Sequence, residues 1–231
     1  MAGILDRDEE FEQLGKDKSL VITALALERM WMPHWIGVQK TDYTDEECAL
    51  HIKITEEWMQ LIWGRIERGH ALPGDYDRFV ELLELMNNAL DSETTANEAD
   101  LDRNAYYFLD GILDCAKSFL VENKFVSGKC KRLVDGVLNM VMDQLENYLF
   151  DNLYESSDEI KEKNQKLSDY IFEHHPAIAV EVSNVKADKE LVLNYPQNMA
   201  QIRKKRAEYH NLNLLDFKPL EEYGIHVGVI K

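Results

Sequence analysis

Glycine and proline are scarce in this chain, 11 and 5 among 231 residues, and basic residues are scarce beside acidic ones, 26 Lys and Arg against 43 Asp and Glu. The first shortage excludes low-complexity and collagen-like sequences. The second, a formal net charge of -17, excludes proteins that hold nucleic acid through clustered Lys and Arg. Cysteine is limited to Cys48, Cys115 and Cys130, an odd number without C-x-x-C spacing, which fits a reducing compartment better than a disulfide framework. Long apolar runs are missing as well. The stretch Leu20 to Leu27 ends at Glu28 and Arg29, short of the roughly 18 residues that span a bilayer. The first twenty residues carry acids where a secretory signal or transit peptide has none. These shortages predict a soluble cytoplasmic protein without a membrane partner.

What the chain does have is 45% hydrophobic residues, enough for a sizeable core, and they recur at helical spacing. The expected fold is all-α: one domain over residues 1–231, a compact bundle of about eight or nine helices with a short extended C-terminal tail. A helix from Ser19 is expected to stop near Met32, because Pro33 disfavours helical geometry in the residue before it, with a short second helix reaching Lys40. Thr44 followed by Asp45, Glu46 and Glu47 has the capping-box pattern for a long helix to Arg68. Gly69, Pro73 and Gly74 then break the chain, and Asp75 is a candidate cap for a helix that turns Phe79, Leu82, Leu83 and Met86 inward. Residues 91–102 read as an acidic loop. Tyr106, Phe108, Leu109, Ile112, Leu113, Ala116 and Leu120 mark a helix of limited exposure, and Leu133 through Leu149 mark another after Ser127, the two forming the expected core pair. Ser156 or Ser157 is expected to cap a polar helix to His174, Pro176 to open the next, and Pro196 to start a last one through Arg206. YGIHVGVIK, with alternating Ile225, Val227 and Val229, is expected to be extended.

No common catalytic signature is present: H-E-x-x-H, G-x-S-x-G and G-x-G-x-x-G are absent, and Gly128-Lys129 lacks the first glycine of a phosphate loop. No enzyme activity, cofactor or metal is expected. Asp110 and Asp114 share a helix face, as do Asp135, Asn139 and Asp143, and facing carboxylates can hold divalent metals. Without Glu-x-x-His elements they read as solvated faces. Adjacent helical residues point about 100° apart, so His174 and His175 suit a helix end better than one metal, and His34, His51, His70, His210 and His226 lack ligand-like acidic neighbours. Arg203-Lys204-Lys205-Arg206 reads as a solvated face or a clamp onto the protein's own acidic half. Trp31, His34, Trp35, Trp58 and Trp63 read as core rather than as a pocket.

The charge is uneven. Between Asp42 and Asp114, 73 residues hold 18 acids and 5 bases, a balance of -13. Asp42, Asp45, Glu46 and Glu47, with Asp91, Glu93, Glu98, Asp100 and Asp102, form a candidate surface for a basic protein partner, since a concentrated negative potential speeds encounter with cations and disfavours anions. Plain solubility would produce the same count.

The run ITALALERMWMPHWIGVQKTDYTDEECALHIKITEEWMQLIW, with Glu28-Arg29-Met30 ending its apolar stretch and Leu61-Ile62-Trp63 ending the next helix, resembles the YjaG-like family of small all-helical bacterial proteins of unknown function. HHPAIAVEVSNVKADKELV and EEYGIHVGVIK agree with it, while Asn211 to Pro219 looks like an insertion and the acidic excess exceeds the family pattern. The resemblance implies one helical fold in a bacterial cytoplasm and transfers no catalytic residue. By analogy, a small, acidic, motif-poor bacterial protein has the profile of an immunity protein that neutralises a cognate toxin such as a nuclease. The alternatives are a housekeeping protein acting by self-association or through a small ligand in the Trp-rich region, and a metal enzyme built on Asp110, Asp114, Asp135 and Asp143.

Overall fold

A helix amphipathic on one face sits at a surface, whereas one that is apolar all round must be enclosed. The segment LVITALALERMWM is of the second kind, and it forms the middle of the bundle. The computed structural model describes residues 8–39, 43–90, 103–121, 127–149 and 161–226. In chain order these hold α1 (Asp8–Leu14), α2 (Lys16–Gln39), α3 (Asp45–Arg68), α4 (Asp75–Leu90), α5 (Arg103–Leu120), α6 (Ser127–Tyr148), α7 (Lys161–His174), α8 (Pro176–Val192), α9 (Met199–His210) and α10 (Lys218–His226). No strand occurs among the described residues, so the expected all-α class is observed.

Every residue of α2 from Ser19 to Trp31 is buried, and the helix packs against α3, α5, α6, α8 and α9. The expected core pair, α5 and α6, does meet, but as two walls of a sleeve around α2. The expected break at Pro33 is also corrected, since α2 runs unbroken through it to Gln39. Proline cannot supply the N–H that the Arg29 carbonyl would accept. Packing on both sides offsets this: Trp31 and His34 flank Pro33 and both rest on Phe108, with ring centroids at 5.8 and 4.2 Å.

The α3–α4 hairpin follows its sequence signals. The Thr44 hydroxyl accepts from the Glu47 N–H, and the Glu47 carboxylate accepts from the Thr44 N–H at 2.8 Å. Gly69 ends α3 at φ 78°, left-handed geometry that only glycine adopts freely. Asp75 is the first residue of α4 rather than its cap, and its carboxylate accepts from the Leu72 N–H and from Arg68. Trp58 stacks on Phe79 and donates to its carbonyl at 3.2 Å. Phe79, Leu82 and Met86 are buried and Leu83 half-buried, as expected.

Pro176 opens α8 as expected, with the ring Nδ1 of buried His175 accepting from the Ala177 N–H. The final helix expected over 196–206 is displaced: residues 193–198 form a turn and α9 covers Met199–His210. Tyr223 to His226 complete α10, so the extended tail does not begin at Tyr223, and residues 227–231 lie outside the described set, as do the acidic loop 91–102 and the caps Ser156 and Ser157. The hierarchy of burial gives a graded test. Leu25→Ala, at the fully buried centre of α2, is expected to cost about 2–5 kcal/mol, and Thr44→Ala about 1 kcal/mol. Urea unfolding followed by circular dichroism measures both.

Candidate functional site: a buried charge network beneath an acidic face

Two opposite charges occupy the centre of α2, and neither reaches water. Arg29 is fully buried. Its Nη1 donates to Asp188 at 2.5 Å and its Nε to Glu181 at 3.1 Å, both on α8, and the guanidinium lies 4.7 Å from the ring of Tyr209, whose hydroxyl donates to Asp188 at 2.9 Å. Burial works against the charge on Arg29, but the two carboxylates outweigh it and hold its pKa above the usual value. Burial likewise raises Glu181 and Asp188, against the opposing pull of Arg29. The neighbouring Glu28 is turned to α9, where Arg206 Nε donates to it at 2.9 Å and His210 Nδ1 lies 2.8 Å away.

The basic run divides between the two expected readings: its arginines clamp α9 to α2 and α3, and only Arg203 reaches the acidic half, while Lys204 lies on a solvated face. Arg206 holds Glu28 and covers the Trp63 ring at 4.8 Å, while Arg203 meets Glu67 of α3 at 2.9 Å. Lys204 and Lys205 reach Glu208 within α9. Ile202 and Tyr209 of this helix are buried, and the His210 ring stacks on Trp31 at 5.2 Å, so apolar and aromatic contacts accompany the ion pairs. Between α2, α3 and α9 lies a cleft of about 450 Å³, lined by residues that include Glu28, Trp31, Glu56, Met59, Arg203 and Arg206.

Of the expected partner-binding residues, Asp45, Glu46 and Glu47 lie together on the first turn of α3, with Asp45 and Glu46 exposed. Glu47 is committed to the capping box, and the Thr44 N–H, then its hydroxyl, lower its pKa. Asp42, Asp91, Glu93, Glu98, Asp100 and Asp102 fall outside the described residues. The hairpin adds Glu56, Glu67, Asp77, Glu81 and Glu84 to the acids named from the sequence. Glu46, Lys53, Glu56, Gln60 and Glu67 recur along the exposed side of α3, and Asp77, Glu81, Glu84 and Asn88 along that of α4. Their three- to four-residue spacing was the available signal. Arg78 pairs with both Glu57 and Glu81 and offsets one of their two charges. Asp45, Glu46, Glu56, Asp77 and Glu84 form no ion pair with another described residue.

The remaining candidates resolve individually. Trp58, Trp63, Trp31 and His34 are core, while Trp35 is 39% exposed. His174 is exposed and His175 caps α8. Asp114 pairs with Lys129 and Asp135 with Lys131, Asp143 is half-buried, and the Asp110 side chain is outside the described set. Among the described residues no three His, Cys, Asp or Glu gather as a metal site. No helix among them is long and apolar enough to cross a membrane. No family model, curated protein or solved structure matches the chain.

Arg29→Met leaves Glu181 and Asp188 buried without their counter-charge and is expected to cost about 3–5 kcal/mol. The triple variant Arg29→Met, Glu181→Leu, Asp188→Leu should recover most of that loss in the same denaturation assay. A second expectation concerns His51, whose pKa burial lowers to about 4; its ring is buried 5.2 Å from that of His34 and 6.2 Å from that of Tyr43. As the pH falls, the unfolded chain takes up this proton near 6.5, the ordinary imidazole value, before the folded chain does. Its contribution to stability is therefore complete above pH 6.5 and lost as the pH falls from 6.5 to 4, by up to about 3 kcal/mol. His51→Phe is expected to flatten the pH dependence of stability across that window.

Proposed function

We propose that this chain is a non-enzymatic binding protein whose acidic α3–α4 face docks a basic protein partner. In its most concrete form it is a bacterial immunity protein that occludes a basic cognate toxin such as a nuclease. The observation that carries the reading is the partition of charge. Arg29, Arg65 and Arg206 are drawn onto carboxylates of the bundle and Arg203 pairs with Glu67 at the surface, while Asp45, Glu46, Glu56, Asp77 and Glu84 face outward with no ion pair to another described residue. Such a face attracts a basic surface over a Debye length of about 8 Å at physiological salt and raises the association rate. The resemblance to YjaG-like proteins and the bacterial cytoplasmic setting belong to the same proposal.

The experiment is co-expression with a basic toxin encoded beside this gene, followed by titration of the purified pair. Wild type is expected to restore growth. Glu46→Lys, Glu56→Lys, Asp77→Lys and Glu84→Lys together are expected to weaken binding at least about 100-fold, and wild-type affinity to fall with rising salt. Binding indifferent to salt and to all four substitutions rejects the acidic face. A second reading, a small ligand in the Trp-rich region, is favoured by the cleft beside Trp31, and a thermal-shift screen with Trp31→Ala as control separates it from the first.

A further inference from the structure

A glycine inside a helix destabilises it relative to alanine, so the position calls for a reason. At Gly111 of α5 the reason is contact, because a side chain there would press on Leu133 of α6, 2.9 Å from its Cδ1. At Gly136 of α6 no such reason exists, since an added Cβ meets no atom within 4 Å. What the missing side chain leaves is space. Gly136 lines a cavity of about 220 Å³ between α5 and α6, with Met30 of α2, Gly111 and Leu133 as its apolar walls and Asp114, Lys129, Arg132 and Asn139 as its polar ones.

The charge there is opposite to that of the protein. Asp114 and Lys129 neutralise each other at 2.5 Å. Arg132, exposed one turn before Gly136, forms no ion pair with another described residue, so in a chain of net charge -17 the cavity carries one positive charge in excess. A guanidinium beside an apolar recess suits a planar carboxylate, to which it donates two parallel hydrogen bonds. The volume is below that of drug-sized pockets and limits the tail to a single ring or a short branched chain.

We propose that this cavity binds a small monocarboxylate, with the carboxylate on Arg132 and the Asn139 amide and the apolar tail against Met30 and Leu133 in the space left by Gly136. The site shares no residue with the acidic face and stands or falls apart from it.

Benzoate and 4-methylpentanoate are the probes, titrated into the full chain by calorimetry and by amide chemical shifts, with benzamide as the uncharged isostere. Saturable benzoate binding is expected, with benzamide at least about 10-fold weaker. Arg132→Gln, a substitution of an exposed side chain, is expected to weaken benzoate about 10- to 100-fold. Gly136→Leu is expected to abolish binding by filling the cavity, with Gly136→Ala as the control that the helix tolerates a side chain there. Absence of saturable binding up to about 10 mM, equal affinity for benzamide, or binding that survives Arg132→Gln unchanged overturns the proposal.

Discussion

Enclosing α2 on every side is the constraint from which the other arrangements follow. Thirteen consecutive buried residues, from Ser19 to Trp31, require neighbours all round, and α3, α5, α6, α8 and α9 supply them. Because Glu28 and Arg29 sit inside that span, those neighbours cannot all be apolar. An uncompensated charge in such a place costs several kcal/mol, so α8 must bring carboxylates and α9 must bring cations. Adjacent residues on a helix point in different directions, and the two demands are met by two different helices. The pair thus fixes which way α8 and α9 are turned. Undirected hydrophobic packing would leave that choice open.

The same arrangement explains where the charge of the molecule is felt. Arg65 and Arg68 of α3 are turned to Asp17 and Asp75, and Arg78 and Arg203 sit on Glu57, Glu81 and Glu67, so the acids left unpaired among the described residues are Asp45 and Glu46 at the start of α3, Glu56 at its middle, and Asp77 and Glu84 on α4. The cation at Arg132 stands out for the same reason. In each case the chemistry available to a partner is set by what the interior has already consumed.

Much of the fold is legible in the sequence where the signals are local. The capping box at Thr44, the left-handed stop at Gly69, Pro176 at the first turn of α8 and the inward faces of α4, α5 and α6 are each decided within a few residues. The misreadings occur where distant packing decides. Pro33 is a strong local stop, but it is overridden because Trp31 and His34 on either side are pinned to Phe108 of another helix. The amphipathic faces of α5 and α6 mark a core pair, but an all-round apolar helix such as α2 is the better mark of a central one. The ion pairs of Arg29 join positions 152 and 159 residues apart and leave no local pattern beyond two charges interrupting an apolar run. The acidic hairpin was half legible: its charge excess is visible in composition, but which acids remain unpaired depends on the reach of Arg78 and Arg203.

The contact between Glu28 and His210 spans 182 positions, and this sets an order of events during synthesis. At bacterial and eukaryotic elongation rates, α9 leaves the ribosome on the order of ten to forty seconds after α2. Through that interval α3, α5 and α6 can already pack on α2, but the counter-charges that permit the burial of Glu28 and Arg29 arrive only with α8 and α9. The charge network at the centre of the bundle therefore closes last, when the C-terminal third of the chain reaches it.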